Sequence, residues 1–218
     1  MEITWHGLSC FRLTERGRAA VVTDPYDESV GYPPLKLRAD VVTVSHSAPG
    51  HNAVRSVRGV QRVITGPGEY EIGGVFVIGV VMVNPRQRKN GGPVRNVVYL
   101  LDFGELNVLH LGDLSYVPGQ SEVEQLGAVD VVLVPVGGGG ALDAGKAAEV
   151  ISLLEPSIVV PMHYKTPGVN LPLASVDKFL KEMGVANPQV EDALKLNRAS
   201  LPEQTQVVLL SHQNQAEN

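Results

Sequence analysis

Apolar positions along the chain come in short runs rich in Val, Ile and Tyr, and Gly, Pro or Asp closes most of them. That pattern predicts strands at Ile3–Trp5, Cys10–Leu13, Ala19–Thr23, Val41–Ser45, Arg62–Thr65, Val75–Val83, Val97–Asp102, Asn107–Leu111, Val131–Val134, Ile158–Val160 and Val207–Leu210. So many strands exceed one ordinary sheet, and two packed sheets accommodate them better. Helical signals come later. Ser121–Leu126 is weak, Asp143–Leu154 carries an N-capping Asp143 and stops before Pro156, and Leu173–Met183 is closed by Gly184. The expected class is α+β, two packed mixed sheets with helices outside in a four-layer αββα sandwich, although pattern alone leaves a generic α+β fold open. Residues 1–210 read as a single domain and 211–218 as a polar, frayed tail that includes His212. Segments 27–35 and 85–93 read as loops.

Composition changes the picture by exclusion. Hydrophobic residues make up 44% of the chain and charged residues 19%, so a disordered chain is excluded. A net charge of −5 offers no whole-protein attraction to phosphate backbones or anionic membranes, and neither nucleic acid nor membrane is expected as a partner. The N-terminal stretch has no basic or apolar leader pattern, and a cytoplasmic location is expected. One cysteine, Cys10, excludes a disulfide within the chain and any multi-thiolate metal site. Cys10 itself reads as a small buried strand residue. A metal, if used, must take His and carboxylate ligands.

Polar ligand types stand at the ends of several apolar runs. His46 closes Val41–Ser45 and is followed by His51 in HSAPGH; His110 and Asp113 end VLHLGD; His163 ends IVVPMH. Side chains at strand ends project into the crevice above a sheet, where they can converge.

Taken with further landmarks, namely Trp5-His6-Gly7-Leu8-Ser9-Cys10-Phe11, Thr23-Asp24-Pro25, GPGEYE at 66–71, PVGGG at 135–139 and PMHYKT at 161–166, the chain resembles the metallo-β-lactamase fold. Within it, the resemblance is to small bacterial metal-dependent hydrolases similar to ascorbate-6-phosphate lactonase. It spans Ile3 to about Met183. That family reads H-x-H-x-D-H after the strand, so Ala48 and Gly50 here replace a His and an Asp. The register places Asn84 at the next His ligand, and Leu8 replaces the His of W-x-G-H, with His6 two positions earlier. By resemblance, one metal would be held by His46, positions 48 and 84, and the bridging Asp113. The other would use position 50, His51, His163 and Asp113, and Asp24 would support the metal loop from behind.

Three missing ligands imply at most one ion, zinc with iron or manganese as options, or none. The expectation is a non-catalytic or binding protein with a degraded binuclear site. The alternative is a mononuclear hydrolase of a lactone, ester or phosphoester that uses His51, Asp113 and His163, with Asp113, His46 and His110 as catalytic groups and His46 or His110 as the proton carrier. Gly137–Gly140 reads as a tight turn near the crevice, Tyr164 and Lys165 as its rim, and the Gly66-Pro67-Gly68 turn as structural. Arg86, Arg88 and Lys89 could attract a small anionic molecule, or form a solvated loop. A homo-oligomer is left open.

Overall fold

Alternate residues of Glu2–Trp5 (β1) and Phe11–Thr14 (β2) are buried, which turns Ile3, Trp5, Phe11 and Leu13 to one side and makes that side the wall of a core. The computed structural model describes residues 1–89 and 92–213. In its first sheet, β2 is followed in space by Val21–Thr23 (β3), Val41–Thr43 (β5) and Arg62–Ile64 (β7), while Leu194–Lys195 (β15) borders β1. A ribbon of Leu37–Arg38 (β4) and Val57–Arg58 (β6) lies apart from it.

The second sheet has eight strands. Gly68–Ile72 (β8), Val75–Lys89 (β9), Gly92–Asp102 (β10) and Asn107–His110 (β11) form an antiparallel meander. Val131–Pro135 (β12), Ile158–Met162 (β13), Gln206–Leu210 (β16) and Gln189–Glu191 (β14) then extend it in parallel. Every residue of β12 and β13 is buried, as a strand covered on both faces requires. One cover is the first sheet. The other is α2 (Ala144–Leu154), which buries Ala147, Val150 and Ile151 and packs against α3 (Asp177–Glu182); a short α1 (Gln120–Glu124) precedes them. Asp143 caps α2, its Oδ1 accepting from the Lys146 amide at 3.0 Å.

The α+β sandwich is therefore as expected, with one difference of detail. Outside the first sheet the fourth layer consists of loops and two single-turn helices, Glu28–Val30 and Val54–Ser56, over a second apolar cluster around Val22, Tyr26, Tyr32, Val42 and Val57. Among the described residues no helix is long and apolar enough to cross a membrane.

Two hydrogen bonds join the sheets where the metal-type ligands will emerge. The Tyr99 hydroxyl on β10 donates to Val44 O at 2.9 Å, and the Val97 amide donates to Ser45 O at 2.9 Å. The end of β5 is thereby held against β10, which lies next to the strand that leads to Asp113.

Three expectations need correction. Segment 85–93 is mostly strand, since β9 continues to Lys89 and β10 starts at Gly92, with an irregularity between Pro93 and Val94; Asn90 and Gly91 lie outside the described residues. The last helix begins at Asp177 rather than Leu173. The chain is not free at Ser211. The Ser211 amide donates to Glu191 O, the Gln213 amide to Trp5 O, and His212 is only 7% exposed; residues 214–218 lie outside the described residues.

Removing the Tyr99 hydroxyl deprives a buried carbonyl of its donor. Tyr99→Phe is expected to lower unfolding stability by about 1–3 kcal/mol. A urea titration should show a lower midpoint with an unchanged slope.

Candidate metal centre

The loop after β5 is folded by its own backbone. Ala48 N donates to His46 O at 3.1 Å and His51 N to Ala48 O at 3.1 Å, so the chain doubles back and the two imidazole rings lie 4.4 Å apart. Gly50 closes the turn at φ +93°, where an added Cβ would stand 3.1 Å from Val30 Cγ1. Position 50 is glycine because the turn needs it, and an aspartate there would be strained.

Beneath the loop lies Asp24, with no exposed surface and an unusual φ of +37°. Its Oδ1 accepts from the Ser45 amide at 2.7 Å, and its Oδ2 accepts from Ser45 Oγ at 2.5 Å and from His51 Nδ1 at 3.0 Å. Burial works against ionisation, but the His51 hydrogen bond, the neighbouring imidazoles and Ser45 outweigh it and hold the carboxyl below its usual range. Ser45 Oγ, having donated to Asp24, accepts from His46 Nδ1 at 3.1 Å. In their neutral form both histidines therefore carry the proton on Nδ1 and turn an Nε2 lone pair outward, the arrangement that orients imidazole as a metal ligand.

Asp113 faces those lone pairs. Asn96 on β10 fixes its loop, with Oδ1 accepting from the Asp113 amide and Nδ2 donating to Leu111 O, both at 2.9 Å. Gly112 permits the close approach, since a Cβ there would lie 2.5 Å from Ser45 Cβ. His163 follows β13 at φ +51°, with its amide bonded to Leu8 O at 3.1 Å and its carbonyl accepting from Gly137 N at 3.1 Å. A Cβ on Gly137 would meet that carbonyl at 2.3 Å, which accounts for the glycine. Leu8, Asp24 and His163 are three of the four non-glycine residues with positive φ among those described, and all three border this crevice. Such concentration of strained backbone is a mark of functional sites.

The ligand atoms converge. Asp113 Oδ2 lies 3.5 Å from His51 Nε2 and 3.7 Å from His46 Nε2, while Oδ1 lies 3.5 Å from His163 Nε2. The ligand atoms of His46, His51 and Asp113 all fall within 4.8 Å of one another. Neighbouring ligands on a tetrahedral zinc ion stand about 3.3 Å apart, given Zn–N distances near 2.05 Å. Asp113 Oδ1 is buried without a hydrogen-bond partner, as a ligand atom would be. The His46 and His51 imidazoles and the Asp113 carboxylate, held this way, could share a divalent cation, and His163 stands 3.5 Å from the other carboxylate oxygen. His51 and His163 side chains are 4% exposed, His46 and Asp113 are 23% and 22% exposed, so the centre opens on the His46–Asp113 side.

Electrostatics agree. Burial alone would raise the Asp113 pKa, but the His163, His51 and His46 imidazoles hold it down to about 2. Burial would lower that of His51, yet the Asp113 charge and the Asp24 hydrogen bond raise it to about 9. A proton or a metal ion is thus strongly drawn to this place.

His46 was expected on a vacated first site and His51, Asp113 and His163 on a second. Instead His46 joins the same cluster. His110 does not: it is fully buried, its Nε2 donates to Ser9 O at 2.9 Å, and its ring lies edge-on to Phe11, so it has no place as a proton carrier at the crevice. Nor does His6 replace the histidine missing at Leu8, since its Nε2 pairs with Thr4 Oγ1 at 3.1 Å. Asn84 is turned away into hydrogen bonds with Ser115 Oγ at 2.9 Å and the Arg86 amide at 2.9 Å. Arg86 is exposed, and the Arg88 and Lys89 side chains lie outside the described residues. Sequence reasoning missed Ser45 and Asn96. Ser45 could have been found as the polar residue that ends a buried run; Asn96 carried no signal of its own.

Asp24→Asn replaces an acceptor with a group that cannot satisfy both Ser45 and His51. Zinc affinity is expected to fall about 10–100-fold, read by competition with a chromophoric chelator. The His51 shift sets a pH window. A raised pKa gives the chelated protein stability that is fully present below about 6.5 and is lost as pH rises through about 9. Zinc uptake between those values should release a proton in weakly buffered solution, and apparent affinity should climb with pH across the window.

The chain matches the beta-lactamase superfamily domain over residues 2–163. A Thermotoga maritima structure, described as a candidate Zn-dependent hydrolase of the metallo-beta-lactamase superfamily, superposes with a TM-score of 0.77 at 36% identity, covering 96% of this chain and 98% of that one. A metal-dependent hydrolase of Thermoplasma acidophilum is 25% identical over 231 residues, 90% of this chain and 99% of the relative. One of Carboxydothermus hydrogenoformans is 29% identical over 198 residues, 76% and 85% of the two chains. Two packed sheets, ligands delivered from the ends of β5, β11 and β13, and these matches agree: the chain belongs to the beta-lactamase superfamily and has the metallo-β-lactamase fold.

Proposed function

We propose that the protein is a hydrolase working with one divalent metal ion held by His46, His51, His163 and Asp113, and that it cleaves an activated carbonyl bond such as that of a lactone or ester. The observation that carries this reading is the convergence of three Nε2 atoms on the Asp113 carboxylate at 3.5–3.7 Å. A nitrogen-rich set with one carboxylate favours zinc, with iron(II) next; manganese prefers more oxygen. Bound there, the ion would polarise a carbonyl and lower the pKa of a water molecule toward ~7.

The chain's own residues do the remaining work. Asp24 and Ser45 keep His46 and His51 in one tautomer and prevent their rotation. The line from His46 Nδ1 through Ser45 Oγ to Asp24 holds a proton at Nδ1. His51 and His163 close the inner side to water, and the half-open His46–Asp113 side admits the substrate. With Ala48 and Asn84 at the remaining ligand positions, the site lacks the means to hold a second ion. Stabilising both the attacking and leaving oxygens of an in-line displacement is two-metal work, so carbonyl substrates are favoured over phosphodiesters. The non-catalytic expectation finds no support, since the relatives are named metal-dependent hydrolases and the ligands are held in register by Asp24.

Protein purified without chelator should contain about one zinc or iron ion per chain by elemental analysis. His51→Ala and Asp113→Ala should each reduce that content at least tenfold, and the wild type alone should hydrolyse a 4-nitrophenyl ester. Wild-type protein that stays metal-free after dialysis against zinc would overturn the proposal. A double variant, Ala48→His with Asn84→His, should raise the stoichiometry toward two.

A further inference from the structure

Two of the imidazoles around Asp113 are oriented from behind through Nδ1, His51 by Asp24 and His46 by Ser45. His163 is not. Its Nδ1 is buried and has no hydrogen-bond partner among the described residues, yet its Nε2 stands 3.5 Å from Asp113 Oδ1. The ring must therefore be fixed through the backbone that carries it.

His163 sits at φ +51°, and Leu8, whose carbonyl accepts from the His163 amide at 3.1 Å, sits at φ +45°. Residues other than glycine rarely adopt that left-handed region, so each holds it because its surroundings require it. The neighbour common to both is Trp5. Its Nε1 donates to the same Leu8 carbonyl at 2.9 Å, which gives that oxygen a second donor and a fixed direction. The Trp5 ring also lies 5.0 Å from the ring of Tyr164, the residue after His163, at an interplanar angle of 37°. Trp5 is itself held. It is 1% exposed, with Phe11 stacked at 6.4 Å and the His212 ring at 5.6 Å. Tyr32 adds a parallel tie, since its hydroxyl is hydrogen-bonded to Thr166 Oγ1, three residues beyond His163, and its ring packs on that of His212.

We infer that Trp5 is a positioning residue for the metal centre: through the Leu8 carbonyl and the Tyr164 ring it sets the direction in which His163 presents Nε2 to the Asp113 carboxylate. The inference rests on the metal-hydrolase reading of the crevice. An indole here does for His163 what a carboxylate and a hydroxyl do for His51 and His46, and it acts on the ligand's backbone because the ligand's Nδ1 has no partner. Without the indole N–H the Leu8 carbonyl keeps one donor, both left-handed residues can relax, and the imidazole swings while the sheets stay in place.

Trp5 is the only tryptophan in the chain, so expression in a tryptophan auxotroph replaces it alone. 3-Benzothienylalanine, in which sulfur stands for the indole N–H, keeps the ring size and removes the donor; Trp5→Phe is the genetic counterpart. Cobalt(II) is titrated into metal-free protein, where wild type should give the intense visible absorption of a four-coordinate centre. The analogue protein should still take up about one cobalt ion per chain, with about tenfold weaker affinity and lower absorbance. Ile3→Val, a change in the core on the same strand, should lower the unfolding midpoint and leave the cobalt spectrum as in wild type. Hydrogen exchange on metal-free protein reads the clamp separately: the His163 amide should exchange about tenfold faster in the analogue protein, and the Val160 amide of β13 at the wild-type rate. Cobalt affinity and spectrum unchanged by the analogue overturn the inference whatever the exchange shows, since the clamp would then hold backbone without setting the ligand. If wild type takes up no cobalt, the metal reading fails and exchange alone decides: a faster His163 amide supports Trp5 as the residue that holds it, and an unchanged rate overturns that role.

Discussion

A carboxylate with no access to water governs this structure. Asp24 lies between the sheets, where an unpaired charge would cost several kcal/mol, and it remains ionised because Ser45 and His51 give it three hydrogen bonds. Those bonds explain the surroundings as much as the charge. The end of β5 must run past Asp24 to deliver the Ser45 amide, His51 must return to the same oxygen, and the intervening loop must therefore double back over Gly50. His46 is oriented at one remove, through the Ser45 hydroxyl. Two ligand tautomers are thus set by one residue that touches neither ligand's coordinating atom.

This constraint gives the departures from the two-metal pattern a common physical sense. The histidine count alone divided the surviving ligands between two half-empty sites. In the folded chain the tight 46–51 turn brings His46 beside His51, so the two imidazoles face the same Asp113 carboxylate oxygen. The glycine at position 50 is what allows that turn. Asn84, itself buried on β9, spends its amide locally and leaves the Asp113 carboxylate facing imidazoles alone.

Much of the architecture was legible wherever local pattern and tertiary burial coincide. β12 and β13 stood out as unbroken apolar runs because both faces are covered, and Asp143 announced the start of α2 because capping is a local interaction. His46, Asp113 and His163 were visible because each terminates such a run. Segment 85–93 misled, since its prolines, glycines and charges look like a loop; beyond an irregularity β9 and β10 still pair Arg88 with Pro93 and Lys89 with Gly92, and such backbone pairing leaves no apolar pattern to read. Asn96 and His212 were invisible for a different reason. Their partners, Asp113 and His6, are distant in sequence, and nothing in the neighbouring residues encodes the contact.

His212 makes that distance consequential. Its Nε2 donates to His6 O at 2.9 Å, its ring lies between Trp5 and Tyr32, and it occupies the space that a side chain at Gly7 would need. Just beyond, Trp5 Nε1 and the His163 amide both bond to Leu8 O. The first turn of the chain, a metal ligand near residue 163 and the residues at 211–213 thus form one packed unit. On the ribosome residues 5–8 emerge long before their cover, and contacts spanning some two hundred residues form only after residues 211–213 have been made. The crevice around His163 therefore gains its full packing only once residues 211–213 have joined Trp5 and His6.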